Sequence, residues 1–165
     1  MVLQEKKYKV DSFKDILQLL KKKKAVEEKK IVATHYYGEH SSNNVEKFVE
    51  YEDRYEIHIL EELNGKFTLT EHSKIVNRNA GITWLKKRGF TKASIVKMVY
   101  TEYIYGNGIV GLYKINDFLN SVILNYPSSE HSEKEKEFGL TKAEIIKIPY
   151  NKCLEKIGHF QSISL

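Results

Sequence analysis

One cysteine, Cys153, occurs in 165 residues. A lone thiol excludes an intrachain disulfide framework and a multi-cysteine zinc site, and it fits a reducing, cytoplasmic or otherwise intracellular setting. Proline is equally scarce, at 2, so no rigid Pro-rich linker divides the chain. No run approaches the roughly 18 apolar residues of a membrane span, and the N-terminus lacks the apolar stretch of a signal peptide. Internal repeats and low-complexity tracts are missing. So are the signatures of several enzyme classes. Gly106-Asn107-Gly108 is not followed by the lysine and helix of a phosphate loop. There is no HExxH and no GxSxG. Recognition-helix, zinc-finger and RNP patterns are also missing, which leaves nucleic-acid binding without a base-reading motif.

What is present suits one domain spanning 1–165, with 41% hydrophobic residues and 11 tyrosines for a core. The net charge of +5 favours anionic partners mildly, because 22 acidic residues offset 27 basic ones. The most informative stretch is Tyr51 to Lys74. Tyr55, Ile57 and Ile59 alternate with Glu56 and His58; Phe67 and Leu69 alternate with Thr68, Thr70 and His72. Period two with Asn64-Gly65 between the runs predicts a β-hairpin. Alternation assigns Glu56, His58, Thr68, Thr70 and His72 to its polar face, which is either solvated or lines a cavity.

Around this hairpin the chain reads as a mixed fold. Leu3 to Val10 is a lysine-rich strand that suits a sheet edge or the wall of a wet cavity. Residues 12–24 predict a helix, with Ser12 and Asp15 as a capping box and Phe13, Ile16, Leu17 and Leu20 as its buried stripe. Its terminal lysines, Lys21 to Lys24, read as a solvated end. A strand over Glu28 to Tyr37 and a short element over Val45 to Val49 come next. His35 and His40 are too few for a metal site on their own. Residues 77–88 predict a second helix, with Asn77 or Asn79 as its cap and Gly89 as its stop. Ser94 to Tyr105, Ile109 to Lys114 and Ser121 to Tyr126 form a meander, with Asn107-Gly108 as a turn. Pro127 to Phe138 reads as a surface loop. Thr141 and Glu144 read as the capping box of a closing helix. Tyr150 starts a further turn or two in which Cys153 is a buried thiol, and the tail from His159 offers one more strand. Seven or eight strands joined by short turns favour an α+β fold built on an antiparallel barrel.

The order of these elements, from Leu3 to about Lys156, resembles the CYTH superfamily. These are the triphosphate tunnel metalloenzymes, which include class IV adenylate cyclases and thiamine triphosphatases. LQEKKYKV stands where that family opens with E-x-E-x-K. ATHYYGE resembles its strand ending in an aromatic pair, and GKFTLTEHSK its G-K-x-x-L-T-x-K segment. WLKKRGF and GLTKAEIIKIPYNKCLEK resemble the end of its second helix and its closing element. The resemblance implies an eight-stranded antiparallel barrel forming a tunnel, with flanking helices. Inward lysines and arginines would hold a triphosphate, and inward glutamates would hold Mg²⁺ or Mn²⁺.

Carried over residue by residue, the family motif is only partly kept. The first glutamate falls on Leu3, while Glu5 and Lys7 keep the second glutamate and the lysine. The R-x-R pair falls on Glu56 and His58, and the lysine after L-T on His72. The K-x-R pair falls on Met98 and Tyr100, the seventh-strand acid near Lys114, and the closing E-x-E within Ile123 to Tyr126. The expectation is therefore a degenerate CYTH-like protein without family triphosphatase or cyclase activity. It would bind another phosphorylated or anionic ligand through Lys7, Glu56, His58 and His72, with Glu5 as a metal ligand, or serve as a scaffold. The alternatives are a rebuilt Mg²⁺- or Mn²⁺-dependent triphosphate enzyme and a basic nucleic-acid-binding module. A homodimer is compatible with all three.

Overall fold

Alternating apolar residues and tight turns build an antiparallel sheet in the computed structural model, which describes residues 2–39 and 41–165. The first half of the chain holds β1 (Gln4–Val10), α1 (Lys14–Lys22), β2 (Val26–Glu27), β3 (Ile31–Gly38) and β4 (Val45–Glu50). The hairpin follows as β5 (Tyr55–Leu63) and β6 (Lys66–Ile75), then α2 (Arg78–Lys87). A meander comes next: β7 (Lys92–Tyr105), β8 (Gly108–Ile115) and β9 (Leu119–Tyr126). A 3-10 turn at Ser128–Glu130 leads into α3 (His131–Glu137), then β10 (Glu144–Ile146), α4 (Tyr150–Lys156) and β11 (Gln161–Ser164).

The hydrogen-bonded order is β1-β6-β5-β4-β3-β7-β8-β9, and β9 pairs back onto β1, so eight strands close a ring of pairings. β10 adds to β1, while β2 and β11 add to β7. The expected α+β fold with an eight-stranded antiparallel sheet and flanking helices is the one observed. The opening strand is not an edge: β1 pairs with β6, β9 and β10. Its lysines alternate, so Lys6 reaches Glu135 of α3 while Lys7 lies on the opposite face against Phe67.

The contacts group the chain into two units. One comprises the chain through Ile31, Asn64–Thr68 and Val99–Lys147. Its core sets Tyr8, Val122, Leu124 and Tyr126 from β1 and β9 against Ile16 and Leu20 of α1 and Phe138 and Leu140. Leu17, expected in the buried stripe, is exposed. The other unit comprises Val32–Leu63, Leu69–Met98 and Ile148–Leu165. There Tyr36 and Phe48 pack with Leu85 of α2, Phe90 and Ala93.

Several local expectations need correction. The segment after Pro127 is not a loop: His131 sends Nε2 to the carbonyls of Gln4 (2.9 Å) and Leu124 (3.2 Å), which anchors α3. Thr141 caps no helix, because Glu144, Ile145 and Ile146 pair with Lys9, Tyr8 and Lys7 as a strand. In the β7–β8 turn the positive φ belongs to Gly106 (62°), one place earlier than Asn107-Gly108 predicts. Leu69 of the hairpin's apolar set is half exposed. Cys153 is half-buried, not buried.

Asn77 caps α2 as expected, its Oδ1 accepting from the Ala80 amide at 2.9 Å. Asn77→Ala should cost about 1 kcal/mol, read as a lower urea midpoint; Asn77→Ser should retain most of the stability. Equal midpoints for wild type and Asn77→Ala would mean the cap contributes nothing.

Candidate functional site

Antiparallel pairing sends directly opposed residues to the same face of a sheet. Tyr37 opposes Lys47, which opposes His58; His35 opposes Val49, which opposes Glu56. One face of β3, β4 and β5 therefore carries His35, Tyr37, Lys47, Glu56 and His58. The other carries Tyr36, Phe48 and Ile57, which are buried toward α2. The β5–β6 hairpin brings His72 of β6 beside Glu56. Its Nε2 lies 3.0 Å from Glu56 Oε1, and His58 Nε2 lies 3.4 Å from Glu56 Oε2. The two imidazoles meet edge-on, with ring centres 5.0 Å apart.

Glu56 is the centre of this group. Its side chain is 7% exposed, against 15% for His58 and 50% for His72. Arg54 Nε donates to Oε1 at 3.2 Å, and the guanidinium lies 4.0 Å over the Tyr51 ring. Burial pushes the Glu56 carboxyl up, but hydrogen bonds from His72, Arg54 and His58 outweigh it and hold the group below the usual range. Burial drives His58 the other way. With the Lys47 charge beside it, and against the pull of Glu56, its pKa falls to about 4. His58 is therefore neutral at physiological pH and donates to a carboxylate. Lys47 itself is buried, with Nζ 3.4 Å from the Tyr37 hydroxyl and 4.9 Å from its ring centre. Among the described residues, Glu56, His58 and His72 form the one group of three His, Cys or acidic side chains whose ligand atoms all lie within 4.8 Å of one another.

The candidate site residues come from both units. Glu56, His58 and His72 converge in one unit; Glu5 and Lys7 belong to the other. Lys7 is 4% exposed, with Nζ 4.0 Å over the Phe67 ring. On β9 it faces Ile123, and Glu5 faces Asn125. Glu102 of β7 completes this second set, and sequence reasoning gave it no role. Burial, then the charges of Glu5 and Glu28, push its carboxyl up. The signal was available: Glu102 follows Met98 and Tyr100 at the same parity, so any inward reading of those two includes it.

Most of the remaining positions that the resemblance assigns to charged groups are apolar or aromatic. Met98 and Tyr100 are buried, and Tyr100 stacks on Tyr113 with ring centres 4.3 Å apart. Ile123, Leu124 and Tyr126 are buried, while Lys114 is exposed. His35 is buried and stacked with Tyr37, and His40 lies outside the described residues. No described helix is long and apolar enough to cross a membrane.

No protein-family model and no curated protein matches this sequence. Solved structures do match. A protein of Pyrococcus horikoshii is similar at a TM-score of 0.72 and 17% identity, over 86% of this chain and 94% of its own. A candidate adenylate cyclase from Vibrio parahaemolyticus is similar at 0.68 and 13% identity, over 93% of this chain and 98% of its own. A candidate adenylyl cyclase from Hippeastrum, described as having a dominant triphosphatase activity, is similar at 0.59 and 9% identity, over 94% and 96%. Identities this low speak to the fold alone. With the strand ring closed by β1 and β9, they show that the chain shares the fold of these structures, adenylate-cyclase-like ones among them, which is the fold that the CYTH resemblance implies.

Proposed function

We propose that this protein uses the CYTH fold to bind a phosphorylated or otherwise anionic ligand, without the triphosphate chemistry of the family's enzymes. The observation that carries this reading is the burial of Met98 and Tyr100, the latter stacked on Tyr113, at positions where the resemblance calls for a lysine and an arginine. A triphosphate brings about four negative charges, and a site that desolvates them needs several paired cations. Ile123, facing Lys7, likewise replaces chemistry with apolar surface. The ligand-binding groups in this reading are Lys7, Glu56, His58 and His72, and the lone cysteine fits an intracellular setting.

A second reading has its own support. Burial, and after it the charge of Glu5, pushes the Glu102 carboxyl up, so two acids are within electrostatic reach of each other to hold Mg²⁺ or Mn²⁺ for a rebuilt triphosphate-processing site. Assays with ATP, inorganic triphosphate and thiamine triphosphate, each with Mg²⁺ or Mn²⁺, separate the two. The expected result is no turnover approaching about 1 per second, the lower end of ordinary enzyme rates. Turnover at that rate, lost in Glu5→Gln and in Glu102→Gln, would overturn the proposal in favour of the second reading.

A further inference from the structure

We propose that Glu56, His58 and His72 form a binding site for a late first-row divalent cation of the Zn²⁺ or Co²⁺ type. The geometry is that of a coordination sphere before the ion enters. A tetrahedral ion bound at about 2.0–2.1 Å by each ligand sets its ligands roughly 3.3 Å apart. The separations here are 3.0 Å from His72 Nε2 to Glu56 Oε1 and 3.4 Å from His58 Nε2 to Glu56 Oε2. All three ligand atoms lie within 4.8 Å of one another. Two imidazoles and one carboxylate select for such ions over Mg²⁺ or Ca²⁺, which take all-oxygen shells.

The surroundings fit as well. Glu56 is buried, and the Arg54 guanidinium, which donates to Oε1, fixes the carboxylate plane between the two imidazoles. Tyr51 packs against His58 at 6.5 Å between ring centres and restricts its tilt. His72, half exposed, is the side through which an ion enters. Lys47 opposes binding by its charge, but its ammonium is engaged by Tyr37. The same three residues are among the ligand groups of the proposed function, but ion binding is read without any phosphorylated ligand, so its failure leaves that reading to its own assay.

The test is titration of tag-free, metal-stripped protein with Co²⁺ and Zn²⁺. Calorimetry should show one ion per chain, and Co²⁺ should develop visible absorption of a low-coordinate nitrogen–oxygen site that Zn²⁺ displaces. His72→Ala, at a half-exposed position that leaves the fold intact, should weaken binding at least about tenfold. His58→Ala should do the same, whereas His159→Ala, on the exposed tail, should leave binding unchanged. Failure of Co²⁺ and Zn²⁺ to bind would overturn the proposal. So would one-to-one binding that survives both His58→Ala and His72→Ala, or that is lost in His159→Ala.

Discussion

Phe48→Ala should lower the unfolding free energy by about 3–5 kcal/mol, the range for deleting a fully buried aromatic ring. Phe48 is 0% exposed and stacks on Tyr36 with ring centres 4.4 Å apart and planes 10° apart. Above it, α2 contributes Gly81. A β-carbon there would stand 2.5–2.7 Å from the Phe48 ring, so the helix comes close only because that position has no side chain. Removing the ring leaves a void that the helix backbone and a glycine cannot fill, and relaxation recovers little. Equilibrium urea unfolding should show a lower midpoint at unchanged slope. Phe118→Ala, at a ring that is 61% exposed, should stay within about 0.5 kcal/mol of wild type. A loss below 1 kcal/mol at position 48 would show that this face is not close-packed.

Acidification of the metal-free protein should have the second-largest effect. His58 has its pKa lowered from 6.5 to about 4, by burial and then by Lys47, against the attraction of Glu56. The unfolded chain therefore takes up this proton near pH 6.5 and the folded chain only near pH 4. Between those values the unfolded state holds more protons, so stability rises with pH. The contribution is fully present above about 6.5 and is lost as pH falls toward 4. A depression of this size amounts to about 3 kcal/mol. Glu56, with its carboxyl held low, acts in the same sense at the acid end, as does His131, whose imidazole burial pushes down. The measurement is the unfolding free energy of wild type and His58→Gln at pH 7 and pH 4, with chelator present. Their difference should change by about 3 kcal/mol between the two pH values. A difference that stays constant with pH would mean His58 ionises freely in the folded protein.

The site in β5 and β6 was only half legible in the sequence. Period two set Glu56 and His58 on one face, and Asn64 and Gly65, at φ of 53° and 78°, make the tight turn that brings β6 back along β5. Strict register across a two-residue turn opposes His72 to Ile57, so its 3.0 Å approach to Glu56 is a fact of the folded chain that alternation alone does not give. Where local rules were outweighed, the reading failed. His131 to Glu137 is polar enough for a loop, yet Lys134 is buried, its ammonium 5.0 Å and 5.4 Å from the Tyr105 and Tyr126 ring centres. Tyr105 is distant in sequence, and Tyr126, though near, belongs to the preceding strand β9, so the polarity of α3 by itself reveals neither contact. Thr141 to Glu144 satisfies a cap pattern, but β1 offers Ile145 and Ile146 a strand to pair with. The meander requires a turn between Ile115 and Leu119, but Asn116 and Asp117 carry no glycine signal for its geometry. Both take positive φ, 48° and 60°, without the glycine that advertises such a turn.

The pairing of β1 with β9 sets an order of events. Gln4 lies opposite Tyr126 and Val10 opposite Asn120. A chain emerging from the ribosome in sequence presents β1 long before β9 is made. Until then its available ladder partner is the start of β6, at Glu5–Phe67 and Lys6–Lys66. Loop closure over so long a separation is slow, and an unpaired strand edge invites association with other chains in the interval. Lys6, Lys7 and Lys9 repel such partners. The lysines that mark an edge in the sequence do guard one, but it exists only while the protein is being made.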